Sequence, residues 1–350
     1  MVQAVSDRIA IILVNYKGAS DTIECLESIR ELNLPAGGAA VYVVENASPD
    51  DSLERLREWL HQARTSPGDG DTSADIRGTH GEIRVFLLRA EINRGFAAGC
   101  NLGLGGAYRD PSICYFWLLN NDTVVDPAAA LELLACSRKH EDRSICGSTL
   151  LYYDDSRVVQ AAAGAQYLPL IGRSRHVFKR KQFAEIARDT SPSFDYIIGA
   201  SMFFSRSVLD TAGYLPERYF LYVEEADWCA RARRCGISLD WARGSLVLHK
   251  EGRSTGADAR FQKLSDDAFY YVSRNNLLFL WQRSRLFVPT ALAYCLLQAL
   301  SYRLKGDRGK LDIVFRAYRD FWRLRKQTET LRRPSQNAIA ETAAAVKSSG

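Results

Sequence analysis

The sequence predicts an α/β fold with a mostly parallel central sheet flanked by helices. Three observations carry this. Strand-like and helix-like segments alternate through the first half. The strand segments are continuously apolar, the pattern of strands covered on both faces. Four of their ends carry polar side chains, at the edge where such sheets bind ligands.

Residues 9–14 form the first strand, an apolar run too short for a signal sequence and without a basic start before it. Asp21 and Glu24 have the spacing of a capping box and open a helix to about residue 31. Residues 41–44 are a second strand, and Asp50 or Asp51 caps the helix that runs to about residue 60. Residues 61–82 are polar and glycine-rich and read as a mobile surface loop. Residues 84–88 are a third strand, 96–108 a helix and 115–119 a fourth strand, after which Pro127 starts another helix. The second half is mixed: a strand at 202–205, helices at 206–212 and 223–234, and a strand at 246–248 that ends in His249. From Ser265 the pattern is helical almost to residue 331, and 334–350 is small, polar and expected to be disordered.

At 350 residues, 47% hydrophobic and 25% charged, the chain has the composition of one large or two smaller globular domains. The net charge of +5 is unevenly placed: residues 303–333 hold eleven Lys/Arg against four Asp/Glu, which leaves the remainder at −2. Attraction to an anionic surface therefore belongs to the C-terminal region. The eight cysteines form no Cys-x-x-Cys pair and lie mostly in apolar stretches, as reduced core thiols of a cytosolic protein do.

Four clusters are candidates for chemistry. Asn120-Asn121-Asp122 ends the fourth strand. It is either a turn, which Asn and Asp favour, or a metal and phosphate site in which Asp122 ligates a divalent ion and Asn120 bonds a ribose or a metal-bound water. Asn93-Arg94-Gly95-Phe96, followed by Gly99, Asn101 and Gly103, bridges strand to helix. Its glycines either let backbone and a helix N-terminus approach a ligand or pack the helix on the sheet; the spacing excludes a dinucleotide fingerprint. "YFLYVEEADWCARARRCG", 219–236, gathers three acids at a helix head. They either answer the helix dipole or include a general base whose pKa is raised in a dry cleft. His249, before the basic loop "KEGRSTG", is either a structural partner or completes a metal site with Asp122.

Taken in order, these pieces resemble family-2 glycosyltransferases of the GT-A fold, in their rhamnosyltransferase-like bacterial branch. The matching stretches are "VNYKG", "VVENASPDDS", "NRGFAAGCNLGL", "LLNNDTVVDP", "IIGASMFFSRSVLDTAGYLPERYFLYVEEADWCARA", "LHKEGRST" and "SRNN", about three quarters of the chain. The resemblance implies inverting transfer from a nucleotide-diphospho-sugar, best read as dTDP-L-rhamnose, to a hydroxyl of a saccharide or lipid-linked acceptor in cell-surface polysaccharide synthesis. It implies a nucleotide pocket of Asn15, Tyr16, Glu45, Asn46, Asn93, Gly95, Phe96, Asn101 and Asn120. Gly199 and Ala200 would face the donor sugar, and Asp122 with His249 would hold Mg or Mn. Glu225 falls on the expected base, with Glu224 and Asp227 as alternatives, and Arg253 and Ser254 lie on the acceptor or diphosphate loop. Three positions depart from the family pattern: Glu45 and Glu225 each replace an Asp, and Asn120 replaces the first Asp of the metal motif.

The organisation that follows is a catalytic domain over 1–265 (nucleotide half 1–126, acceptor half 127–265), a basic helical extension over 266–333 and the tail 334–350. Residues 286–302 carry no charge but are short for a membrane span. Leu311, Phe315, Tyr318 and Trp322 fall on one stripe of the next helix, opposite Arg316, Arg319, Arg323 and Lys326. This pattern places the chain in the cytoplasm, peripheral at the inner face of the cell membrane. Three rival functions are weaker. A sugar nucleotidyltransferase wants a richer glycine and basic loop than "NYKGASD". An inactive nucleotide-sugar binder is suggested by the three substitutions. A nucleic-acid binder would need a recognisable module, and none is present.

Overall fold

The computed structural model describes residues 7–67, 72–188, 190–250, 265–307 and 309–326. In the first half, β1 (Arg8–Asn15) leads to α1 (Ala19–Arg30) and β2 (Ala39–Glu45) to α2 (Ser52–Ala63). Then come β3 (Arg64–Pro67), β4 (Ser73–Gly78), β5 (Gly81–Arg89), α3 (Phe96–Tyr108), β6 (Ile113–Asn120), β7 (Thr123–Val125) and α4 (Ala129–Lys139). The second half holds β8 (Ser144–Tyr152), β9 (Asp155–Ala162), β10 (Gly164–Leu168), β11 (Arg173–His176), β12 (Tyr196–Ile197) and β13 (Ser201–Ser205). After α5 (Arg206–Ala212), α6 (Glu224–Arg234) and β14 (Ser238–His249), three helices follow: α7 (Asp266–Arg283), α8 (Val288–Leu304) and α9 (Gly309–Leu324).

Strands β5, β2, β1 and β6 lie side by side and parallel. Their continuous apolar runs are explained by burial on both faces. Ile9, Ile11 and Leu13 pack into one core layer with α1, α2 and α4, and Ala10, Ile12 and Val14 into the other with α3, α5 and α6. Beyond β6 the sheet becomes mixed: β13 lies antiparallel between β6 and β8, and β14 runs parallel to β8 and antiparallel to β7. Strands β10, β11 and β12 form a second, small antiparallel sheet.

Two expectations are corrected. The stretch 61–82 is not a loop where it is described: it holds the end of α2, then β3 and β4, with β4 antiparallel to β5. Ala74 and Ile76 alternate inward while Asp75 pairs with Arg84 at 2.8 Å. Asp21 and Glu24 form no capping box; the helix starts after Gly18 without a side-chain cap, and both carboxylates bind Lys250 Nζ. The run after Ser265 breaks into three helices, and the rest of the expectation, to 331 and for the tail 334–350, lies outside the described residues. The inner face of α9 is a different one from the stripe of Leu311, Phe315, Tyr318 and Trp322. Ile313, Val314, Ala317 and Phe321 are buried, while Phe315 is 57% and Trp322 38% exposed.

Candidate active site

The parallel order of β5, β2, β1 and β6 sets four strand ends next to one another, and their side chains form one polar floor. Asn15 is fully buried; its Oδ1 accepts from Thr22 Oγ1 at 2.9 Å, which in turn accepts from Asn121 Nδ2 at 2.9 Å. Asn46 donates to Asn93 Oδ1 at 3.1 Å and to the Gly95 carbonyl at 3.3 Å, and Asn93 Oδ1 also accepts from Gly95 N. The Glu45 carboxylate is buried and takes the Ser48 N–H at 2.9 Å, and the Ser48 hydroxyl accepts from Lys17 N. Tyr16 stands half-buried beside them. The side chains named for the nucleotide pocket thus meet on one edge, with one correction. Asn101 is a clamp: its amide donates to the Leu215 carbonyl and Glu217 and accepts from Leu215 N.

Gly95 joins this floor to the next element. Its φ of 97° is costly for other residues, and an added Cβ would stand 2.1 Å from the Phe220 carbonyl oxygen. Phe96 N donates to that same oxygen at 2.7 Å.

At the tip of β6 the register of β14 brings His249 opposite Thr123, beside Asp122. His249 Nε2 lies 3.2 Å from Asp122 Oδ1 and 3.3 Å from Asn120 Nδ2. Its Nδ1 donates to Gln160 Oε1 at 2.8 Å, so the ring is held with Nε2 toward Asp122. Burial pushes the Asp122 carboxyl up, but the charge and hydrogen bond of His249, then Lys250, hold it below the usual range. The pair fits one corner of a divalent-ion site: ligands about 2.1 Å from Mg and at right angles stand roughly 3 Å apart. Among the described residues no three His, Cys, Asp or Glu side chains cluster for a metal. Further ligands would come from substrate oxygens and water, as a phosphate-bridged Mg or Mn ion accepts.

Across the floor, α6 presents the acids. The chain enters it through Phe220, Tyr222 and Val223, all at positive φ (67°, 69° and 78°), a strained run of the kind found at functional sites. Asn275 of α7, fully buried, holds this run by donating to the carbonyls of Tyr219, Leu221 and Tyr222. Glu224 and Glu225 follow, and the Oε2 atom of each is buried with no hydrogen-bond partner. Burial pushes Glu225 up to about 7; burial, then the charge of Glu225, pushes Glu224 well above the usual carboxylate range.

Gly199-Ala200 links the two corners. The Ala200 carbonyl accepts from Asn120 N at 3.0 Å, and a Cβ on Gly199 would stand 3.9 Å from Glu225 Cβ and 3.6 Å from the Phe96 ring. Asp227 is not available as a base: Arg218 and Arg283 clamp its carboxylate at 2.7 and 2.6 Å, with Tyr219 OH at 3.0 Å. Arg253 and Ser254 lie outside the described residues. Sequence reasoning missed three positioning residues: Gln160, Lys250 and the role of Asn275. A lone amide in the apolar run "VVQAAAG" and the quoted "SRNN" were the available signals.

The family model described as Glycosyl transferase family 2 matches residues 10–213. A curated relative, the low-salt glycan biosynthesis hexosyltransferase Agl10 of Haloferax volcanii, is 24% identical over 283 residues, 79% of this chain and 78% of its own. Among solved structures, GalNAc-T7 with UDP, GalNAc and Mn2+ superposes with a TM-score of 0.55 at 13% identity, over 80% of this chain and 49% of that one. The mannosyltransferase PcManGT of Pyrobaculum calidifontis, solved with GDP-Man and Mn2+, gives 0.48 at 15% identity, over 97% and 80%. The large sheet with its flanking helices is the GT-A fold.

Proposed function

The chain belongs to glycosyltransferase family 2, and from that premise we propose that it transfers a sugar, with inversion, from a nucleotide-diphospho-sugar to an acceptor hydroxyl. One observation carries the reading. Glu225, whose Oε2 is buried without a hydrogen-bond partner, stands beside Gly199, and Gly199-Ala200 leads directly to the Asn120–Asp122–His249 corner.

Asn15, Tyr16, Glu45, Asn46 and Asn93 receive the nucleotide, with Gly95 and Phe96 closing the pocket toward α6. Glu45 already serves Ser48 N with one oxygen, which leaves the other for a base or ribose. Asp122 and His249 would hold a divalent ion, Mg or Mn, which would supply charge stabilisation to the diphosphate leaving group. The GalNAc-T7 structure contains Mn2+, which supports that reading. Glu225 accepts the proton of the acceptor hydroxyl as that oxygen attacks the anomeric carbon. Its burial keeps water away, and its raised pKa makes it a strong enough base near neutrality. Glu224 stays protonated beside it. Only one carboxylate has to act, because a diphosphate leaves without a proton; a single displacement inverts the centre. Glu in place of Asp at 225 carries the carboxylate about 1.5 Å further from its backbone, and the positive-φ run at Phe220, Tyr222 and Val223 just before it is the backbone feature that could offset this.

The donor is read as a hexose nucleotide, dTDP-L-rhamnose first, and the acceptor as a saccharide or lipid-linked hydroxyl in cell-surface glycan synthesis. The hexosyltransferase name of the Haloferax relative supports the donor class. The catalytic unit is 1–265, and the helices after it make peripheral contact with the inner face of the membrane; no described helix is long and apolar enough to cross one. Nucleoside diphosphate release from a panel of nucleotide sugars, with and without Mn2+, tests the proposal. Wild type turns over at least one donor, and Asp122→Asn loses at least ~100-fold while its melting temperature holds. Binding without turnover by wild type would make the chain an inactive binder instead.

A further inference from the structure

We propose that the outer face of α8 seats the protein on an anionic lipid surface. This deepens the membrane reading above by assigning the face.

Helix α8 is apolar on both sides, unlike an ordinary water-facing helix. On its inner side Val288, Ala291, Cys295 and Ala299 are buried, Leu292, Leu296 and Tyr302 pack beside them, and Arg173 reaches across from β11 to Gln298 at 2.6 Å. Its outer side is large and apolar. Leu297 is 65% exposed, Leu300 45% and Leu304 90%, and Leu286, 82% exposed, stands in the turn just before the helix. With the exposed Pro289 and Ala293 the three helical leucines fall within roughly 80° of one another at 100° per residue, a stripe about 22 Å long. No charged residue lies between 286 and 302. Exposed leucines scattered singly need no explanation, but a continuous stripe marks a site of interaction.

The charges name the occupant. Arg285 precedes the stripe, Arg303 and Lys305 follow it, and no acid occurs from 284 to 306. On α9, Phe315 and Trp322 are exposed among Arg316, Arg319 and Arg323. Apolar side chains framed by cations at both ends match the acyl and headgroup zones of an anionic bilayer. A second copy fits poorly. Because both ends are basic, a two-fold pairing through α8, in either direction, sets cation against cation.

The seating reaches the chemistry through α7. Asn275 carries the carbonyls ahead of Glu224, and Arg283, just before α8, holds Asp227. A surface-bound α8 therefore fixes the height of Glu225 above the bilayer, where a lipid-linked acceptor would be presented.

The test is sedimentation of the full chain with phosphatidylcholine vesicles, with and without about one third phosphatidylglycerol. Wild type pellets with the anionic vesicles and is released by high salt. Leu297→Glu/Leu300→Glu, and separately the single, highly exposed Leu304→Glu, weaken binding at least tenfold with unchanged melting temperature. Arg303→Gln/Lys305→Gln weakens it at least fivefold and flattens the salt dependence. Failure of wild type to bind, or binding by both leucine variants within twofold of it, overturns the proposal. So does a concentration-dependent dimer that Leu304→Glu abolishes. Donor turnover, measured on the same samples with a soluble acceptor, keeps the two readings apart. Vesicle binding without turnover removes the transferase reading alone, and turnover without vesicle binding removes this one alone.

Discussion

Replacing Glu225 by Gln should change activity and stability in opposite directions. The carboxylate is buried with an unpartnered oxygen, and burial raises it from 4.5 to about 7. A carboxyl with a folded pKa above its unfolded value contributes stability that is fully present below the unfolded pKa. That stability is lost as pH rises through the folded one. The loss runs from about 4.5 to about 7 and amounts to about 3 kcal/mol at ~1.4 kcal/mol per unit. A neutral amide of the same shape escapes it. At pH 8.5 Glu225→Gln should therefore melt a few degrees above wild type, and at pH 4.5 the two should coincide. Turnover should fall at least ~100-fold above pH 7, with the gap to wild type closing as pH falls and Glu225 takes up its proton, while donor binding by calorimetry survives. Wild-type kcat/KM should rise with pH, about tenfold per unit below 7, and flatten above it. The assay pair is nucleoside diphosphate release and a pH series of thermal melts. Near-normal turnover would remove Glu225 as the base. A melting temperature that drops at pH 8.5 together with activity would mean that the side chain is structural and that burial does not tune it.

Two further outcomes concern positioning. Gln160→Leu removes the acceptor for His249 Nδ1 and should weaken Mn2+ binding, read by electron paramagnetic resonance, ~10-fold or more; Gln160→Glu, which still accepts that proton, should restore it, and equal affinity in the Leu variant would dismiss the role. Asn275→Ala removes the side-chain donor to the carbonyls of Leu221 and Tyr222, while that of Tyr219 keeps Arg274, and should cost about 2 kcal/mol in denaturant unfolding, lowering kcat more than it weakens donor binding.

The parallel half was legible because strands buried on two faces must be apolar throughout: β1, β2 and β6 announce themselves in any order of reading. Strand β4 did not, since it lies toward the sheet margin and only Ala74 and Ile76 point inward among Ser, Asp, Arg and Gly. In the 144–197 region Ser, Thr, Asp, Arg and Gln interrupt the long strands β8 and β9, β10 to β12 are short, and in β14 the polar Asp240 and Arg243 masked all but the last few residues. The site's ingredients were legible as strand tips and one helix head. What could not be read was which acid is free. Asp227 and Glu225 are two residues apart in one sequence motif, yet Arg218 and Arg283 neutralise the first, while the second forms no ion pair and keeps a buried Oε2 without a partner. Gln160 and Lys250 acquire meaning only once β9 and α1 fold against the β14 terminus.

A crystal structure grown with a nucleotide-diphospho-sugar and Mn2+ addresses the central claim at once. It should show the ion bridging Asp122 Oδ1, His249 Nε2 and the diphosphate, with the anomeric carbon turned toward the Glu225 carboxylate. A nucleotide bound away from the β5-β2-β1-β6 edge, or a sugar whose anomeric carbon faces away from α6, would contradict it.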